Sequence, residues 1–426
     1  AASIGVLVVI LTNLVLLPVD MSRLGVAPVA IARMKKFENS GSYQRQCEFS
    51  TNYTHPRVAG TFVVNAILLF ARGWWYKQDM KIGDLDAGAP ELRADSRYNL
   101  DNQFIVDNYS ASTDVFVVMV QTEDMECVTY ETYAAVDIFE WVMTDVPGVQ
   151  SAVSLIDASM RAIAGNNEGS PKWFTVTRNQ CVLNGSVSGK EFPPGLMNAD
   201  CNLIPVMIVL EDHKAETLRG VISAVEKFTE EYDTGNVRFV MAAGNSGIEA
   251  ATNEVVAKAQ YKMLAWVYGV VSLLVLLAFR SIRAVICIIV PLALSSILGQ
   301  ALMSYLGIGV KVATLPVIAL GVGIGVDYGI YIFSKLETYL YRGFDLQRAY
   351  FETLKTTGKA VSFTGLTLAI GVATWVWSPI KFQGDMGLML TFMFIVNMFG
   401  ALILLPALVH FLIPVDKYRR HEVDSE

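Results

Sequence analysis

The feature that most limits what this chain can fold into is an apolar run from Val312 to Phe333 that carries a single carboxyl group, Asp327. At a rise of about 1.5 Å per residue the run is long enough to cross a hydrocarbon core of roughly 30 Å. In lipid only a helix satisfies every backbone N–H and C=O within one such segment, so the run predicts a membrane helix. An ionised carboxylate near its middle costs about 3 kcal/mol or more unless a partner helix or water solvates it. Asp327 is therefore expected to exchange a proton, with Tyr328 beside it as a candidate hydrogen-bond partner. Gly321, Gly325 and Gly329 recur at i, i+4 and i+8, with Gly323 between them, which predicts a strip where another helix approaches closely. Two readings stay open: a proton relay, or a neutral acid that ties two helices together.

The rest of the chain agrees with a membrane setting. Hydrophobic residues make up 53% of it and charged residues only 17%, which excludes an ordinary soluble globule. No basic stripe offers a surface to nucleic acid. The five cysteines show no spacing that zinc needs, so no metal site is legible. GxSxG, HExxH and P-loop patterns are also missing, and the chain does not read as an enzyme.

Taken in order, residues 1–19 read as the end of a membrane helix and 20–57 as a cytoplasmic linker rich in Lys and Arg. Residues 58–76 form a span that ends in Trp74, Trp75 and Tyr76. Residues 77–258 form a water-soluble insert in which strand, helix and strand patterns occur twice, around 113–156 and 203–241. Two such units in series suggest an α+β ferredoxin-like βαββαβ sandwich. The insert lies opposite the basic loops, so a disulfide between Cys181 and Cys201 is plausible there. Residues 259–413 read as a five-helix bundle, with a surface amphipathic helix from Phe344 to Thr356, and 414–426 as a cytoplasmic tail. Thr364 and Thr367 on the fourth of these spans are candidates to support Asp327, although such hydroxyls are ordinary helix glue. Asn13–Pro18 echoes Ala401–Pro406, which suggests that the chain is the second half of a duplicated transporter.

The order of elements carries a resemblance, together with Gly83-Asp84-Leu85, Gly88-Ala89-Pro90-Glu91-Leu92, Asp95-Ser96-Arg97-Tyr98-Asn99, Gly244 to Asn253 and Gly323 to Tyr328. It resembles one half of a transporter of the resistance-nodulation-division (RND) superfamily, in its MMPL-like branch of predicted lipid exporters. That resemblance implies an α-helical, RND-type membrane bundle with a periplasmic porter-like insert in the bacterial inner membrane. It implies export of a hydrophobic or lipid-like substrate driven by the proton gradient, with protons as the coupling ion and no other cofactor. Asp327 and Tyr328 match the acid-tyrosine pair of the tenth helix in that family. The expected partners are the N-terminal half or a second copy, a dimeric or trimeric assembly, and a periplasmic accessory protein. A sterol-sensing-like or lipid-binding scaffold that does not pump is the alternative.

Overall fold

The computed structural model describes residues 11–24, 41–109, 112–188, 195–233 and 235–414, together with Gly5, Val8 and Val9. Residues 25–40 of the basic linker (Arg33, Lys35 and Lys36 included) and almost all of the expected cytoplasmic tail lie outside the described residues. Helix α1 (Leu17–Leu24) is entered through a π turn at Thr12–Leu16, and α2 (Gly41–Thr51) precedes the span α3 (Pro56–Lys77). After α4 (Arg97–Asn108) come β1 (Val115–Gln121), α5 (Tyr130–Thr144), β2 (Val149–Val153), α6 (Leu155–Asn166), α7 (Gln180–Val187), β3 (Leu203–Leu210), α8 (Ala215–Tyr232) and β4 (Arg238–Ala243). The membrane helices that follow are α9 (Gly244–Phe279), α10 (Ile282–Leu306), α11 (Leu315–Tyr341), α12 (Leu346–Trp377) and α13 (Lys381–Leu412). With α3, six described helices are long and apolar enough to cross a membrane.

The insert is built on one antiparallel sheet of order β2-β3-β1-β4. Along β3 residues alternate between buried and half-buried, which leaves Ile204, Val206, Ile208 and Leu210 on the inner face. There they pack with Phe116, Val118 and Val120 of β1 and with Tyr133, Val136 and Phe139 of α5 and Val221, Val225 and Phe228 of α8. Alternation with period two is what a sheet covered on one face requires.

The sheet register corrects the expected disulfide. Gln121 sits opposite Leu203, so the loop leaving β1 runs beside the loop entering β3. There the Thr122, Met125 and Cys127 N–H groups donate to the carbonyls of Asn202, Asp200 and Cys201. Cys201 therefore pairs with Cys127, not with Cys181, which lies exposed on α7.

Two element boundaries also differ from expectation. α9 is 36 residues long, about 54 Å, so one rod runs without a break from the sheet into the membrane across the expected 258/259 boundary. It starts straight from β4 at Gly244, whose φ of +76° suits glycine and where an added Cβ would collide with the Val115 carbonyl oxygen. Asn245 then clamps β1, accepting from Val115 N–H (3.0 Å) and donating to the Thr113 carbonyl (2.7 Å). Likewise the expected surface helix at 344–356 is continuous with its span through a π turn at Leu354–Gly358. Its Leu346, Ala349 and Tyr350 are buried in the bundle, and the Tyr350 hydroxyl donates to the Leu402 carbonyl of α13.

A strap of residues 79–96 joins the two parts. Ile82 bridges to Val310 in the turn between α10 and α11, and Leu92 to Ile380 in the turn between α12 and α13. Arg93 donates to the Val376 and Ser378 carbonyls, and Lys381 pairs with Asp86 at 2.6 Å. On its other side the strap accepts from Ala215 N–H at the Asp84 carbonyl (2.9 Å), at the start of α8.

Candidate functional site

Asp327 lies at the centre of α11, the thirteenth of its 27 residues. The glycine strip faces inward. A Cβ on Gly321 would meet Met393, one on Gly325 would meet Asn397 and Leu292, and one on Gly329 would meet Ile288. These are side chains of α13 and α10, so α11 is locked between those two helices along its strip. Gly323 has open space where its Cβ would stand and is not part of that contact.

Asp327 is two residues from both Gly325 and Gly329, which at about 100° per residue places it on the opposite side of the helix. With Pro316, Leu320, Gly323, Tyr331 and Ser334 it forms an exposed stripe at helical spacing. Asp327 has no hydrogen-bond partner among the described residues, whereas its neighbour Tyr328 is buried at 3% exposure with its hydroxyl also unpartnered. The two side chains leave the helix in different directions. Thr364 and Thr367 are exposed on α12, and Thr367 donates to the Phe363 carbonyl of its own helix. Neither is hydrogen-bonded to Asp327 among the described residues.

Behind the acid, polar groups fix the bundle. Asn397 donates to the Gly321 carbonyl (2.7 Å) and accepts from the Ser295 hydroxyl (2.5 Å), joining α13 to α11 and α10. Tyr268 of α9 is hydrogen-bonded to Ser296 (2.6 Å) and donates to the Leu292 carbonyl (3.0 Å). Thus α11 presents Asp327 from a rigid backing.

A second group of charged residues sits where strap, sheet and α9 meet, and sequence reading passed over it. The buried pair His213 Nδ1 and Asp114 Oδ1 is 3.0 Å apart, with Asp84 and Glu249 close by and Lys311 paired to Asp84. Burial alone pulls the His213 imidazole down. The Asp114 hydrogen bond and the charges of Asp114, Glu249 and Asp84 outweigh it and hold the imidazole above the usual histidine value. These residues come from segments far apart in the chain, so no local spacing announces them. Only Asp84 and Glu249 carried a signal, as members of the Gly83-Asp84-Leu85 and Gly244 to Asn253 stretches.

Six described apolar helices of spanning length carrying an inserted four-stranded sheet, with one acid at the centre of an exposed helix stripe, define a multi-pass membrane protein. The fold is that of the crystal structure of a heavy metal efflux pump, matched with a TM-score of 0.54 at 16% identity over 83% of this chain and 47% of that one. The chain belongs to the MMPL family, whose model matches residues 99–421. It is 26% identical to the trehalose monomycolate exporter of Mycobacterium tuberculosis over 42% of this chain and 19% of that protein. It is 29% identical to the sulfolipid-1 exporter of the same organism over 28% of this chain and 12% of that protein. The matched segments thus cover less than a fifth of those curated relatives.

Proposed function

We propose that this chain is one half of a proton-driven RND/MMPL-type transporter that exports a hydrophobic or lipid-like substrate from the bacterial inner membrane, with Asp327 as its proton relay. The observation that carries the reading is the placement of Asp327: at the centre of a helix of spanning length, without a hydrogen-bond partner among the described residues, and displayed on the exposed stripe of a helix whose other face is locked into the bundle. A carboxylate left there against lipid costs about 3 kcal/mol or more. A second surface removes that cost if it brings its own polar groups to the stripe. That surface is the other half of a duplicated chain or a second copy. The repeat of Asn13–Pro18 in Ala401–Pro406 supports duplication, because each Leu-Pro pair is preceded by a π turn at the same register, Thr12–Leu16 and Gly400–Leu404. Proline lacks the N–H that an ordinary turn would use, and the wider turn accommodates its loss.

Proton binding changes the charge of Asp327 and so the packing of its stripe against the partner surface. The bundle transmits a shift of α11 through Asn397 and the glycine strip to α10 and α13. We read the sheet unit as a ferredoxin-like periplasmic porter domain, which the βαββαβ order and the β2-β3-β1-β4 sheet support. α9 and the strap join that domain to the bundle and would carry the motion. The lipid-like substrate class follows the printed names of the two mycobacterial relatives.

The test is export of a fluorescent lipid by the full-length transporter in vesicles, with the proton gradient present or collapsed. Export that stops when the gradient is collapsed supports the proposal. Lipid binding without gradient-dependent export supports the scaffold reading instead.

A further inference from the structure

We propose that Asp84, His213 and Glu249 form a site for one divalent cation of the Zn2+ or Mn2+ class at the seam between the sheet unit and the bundle. One ligand atom from each residue lies within 4.8 Å of those of the other two. Ligands bound to a common zinc ion at about 2.0–2.2 Å stand no more than roughly 4.4 Å apart, so only a small closure is needed. One imidazole with two carboxylates is a mixed nitrogen and oxygen donor set, which suits Zn2+ or Mn2+ better than Ca2+ or Cu+.

The surroundings of His213 point to a ligand independently of the acids. The residue is 5% exposed, and its Nδ1 is held 3.0 Å from Asp114 Oδ1, itself buried. A carboxylate behind one ring nitrogen orients the imidazole and raises the basicity of the other, as behind metal-bound histidines. The other nitrogen, Nε2, is buried without a hydrogen-bond partner among the described residues, and so is Glu249 Oε1. Two buried polar atoms without a partner among the described residues, close to a carboxylate of Asp84, call for an explanation, and an ion held by all three residues supplies one.

Charge agrees. Three carboxyl groups, those of Asp84, Asp114 and Glu249, surround the imidazole with only one ammonium among the described residues, that of Lys311, paired among them, so acidic oxygen donors dominate the seam. Lys311 pairs with Asp84 Oδ1, which leaves Oδ2 for the ion. Asp84 belongs to the strap, His213 to the turn before α8 and Glu249 to the extramembrane end of α9. A bound ion would cross-link the three elements that join sheet and membrane.

The test uses tag-free, metal-stripped full chain in detergent, in a Cys181→Ser background so that the exposed thiol binds no zinc. Bound metal per chain and affinity are measured by calorimetry and elemental analysis with ZnCl2, then MnCl2, together with the shift of the thermal unfolding midpoint. One ion per chain is expected, with a raised midpoint. Glu249→Gln keeps the side-chain shape and should lower affinity at least tenfold while leaving the metal-free midpoint close to native. Asp114→Asn should lower it about 10–100-fold through His213. Absence of stoichiometric binding to the native chain overturns the site, and so does equal binding by native and Glu249→Gln protein. Should Asp114→Asn not fold, Glu249→Gln and the native titration still decide.

Discussion

The inner face of α11 gives a sharp prediction, because two glycines two residues apart should behave oppositely. A Cβ added at Gly325 would stand 2.5 Å from Asn397 Cγ and 2.7 Å from Leu292 Cδ2. Asn397 cannot simply swing away, since its amide is held by the Gly321 carbonyl and by Ser295. Gly325→Ala therefore either forces α11 outward or displaces Asn397. Overpacking costs about 1–3 kcal/mol, and two interhelical hydrogen bonds in a membrane add about 0.6 kcal/mol each. The expected loss is about 2–4 kcal/mol. At Gly323 the same methyl enters open space, and Gly323→Ala should leave the stability of this chain within about 0.5 kcal/mol of native. Unfolding of the two variants and the native chain in mixed detergent, followed by circular dichroism, measures both. Equal stability of Gly325→Ala and Gly323→Ala would refute the packing described for α11.

Other outcomes follow from the sheet unit. Cys127→Ser should lower its stability by about 4 kcal/mol, the loop-entropy value for 74 residues, whereas Cys181→Ser should leave it unchanged. Peptide mapping without reductant should recover Cys127 joined to Cys201. Glu140 of α5 is buried, and burial first, then the charge of Asp157, pushes its carboxyl up to about 8 from 4.5. Between those values the folded form holds a proton that the unfolded form has released, so stability should fall as pH rises from 4.5 and level off above about 8. Glu140→Gln removes this dependence. It should match native protein at pH 4.5 and exceed it at pH 8.5 by on the order of 4 kcal/mol, as read by thermal unfolding across pH.

The spans and the strands were legible because their signals are local: apolar runs of bilayer length, and period-two alternation in β3. What escaped was set by contacts between distant segments. Cys127 and Cys201 pair because β1 and β3 are neighbours, a fact of sheet order. The expected 258/259 boundary falls in the stretch Asn253 to Lys262, which contains no Gly or Pro to break a helix and continues α9. The strap motifs around Gly83 and Gly88 stood out, but their partners at Val310 and Ile380 lie hundreds of residues away. Likewise His213 has no companion nearby in the chain and gains its meaning from Asp114, Asp84 and Glu249. The side of α11 on which Asp327 stands was available from its two-residue offset to Gly325 and Gly329. The offset shows that the acid and the strip serve different neighbours.

The central claim is that Asp327 carries the coupling proton. It is tested most directly by reconstituting the full-length transporter in liposomes with a pH dye inside and adding substrate, for native and Asp327→Asn protein at equal reconstitution. The account predicts substrate-dependent proton flux in native liposomes and its loss, by at least tenfold, with Asp327→Asn while the protein remains folded. Proton flux and export that persist undiminished in Asp327→Asn would contradict it and leave Asp327 as a structural acid.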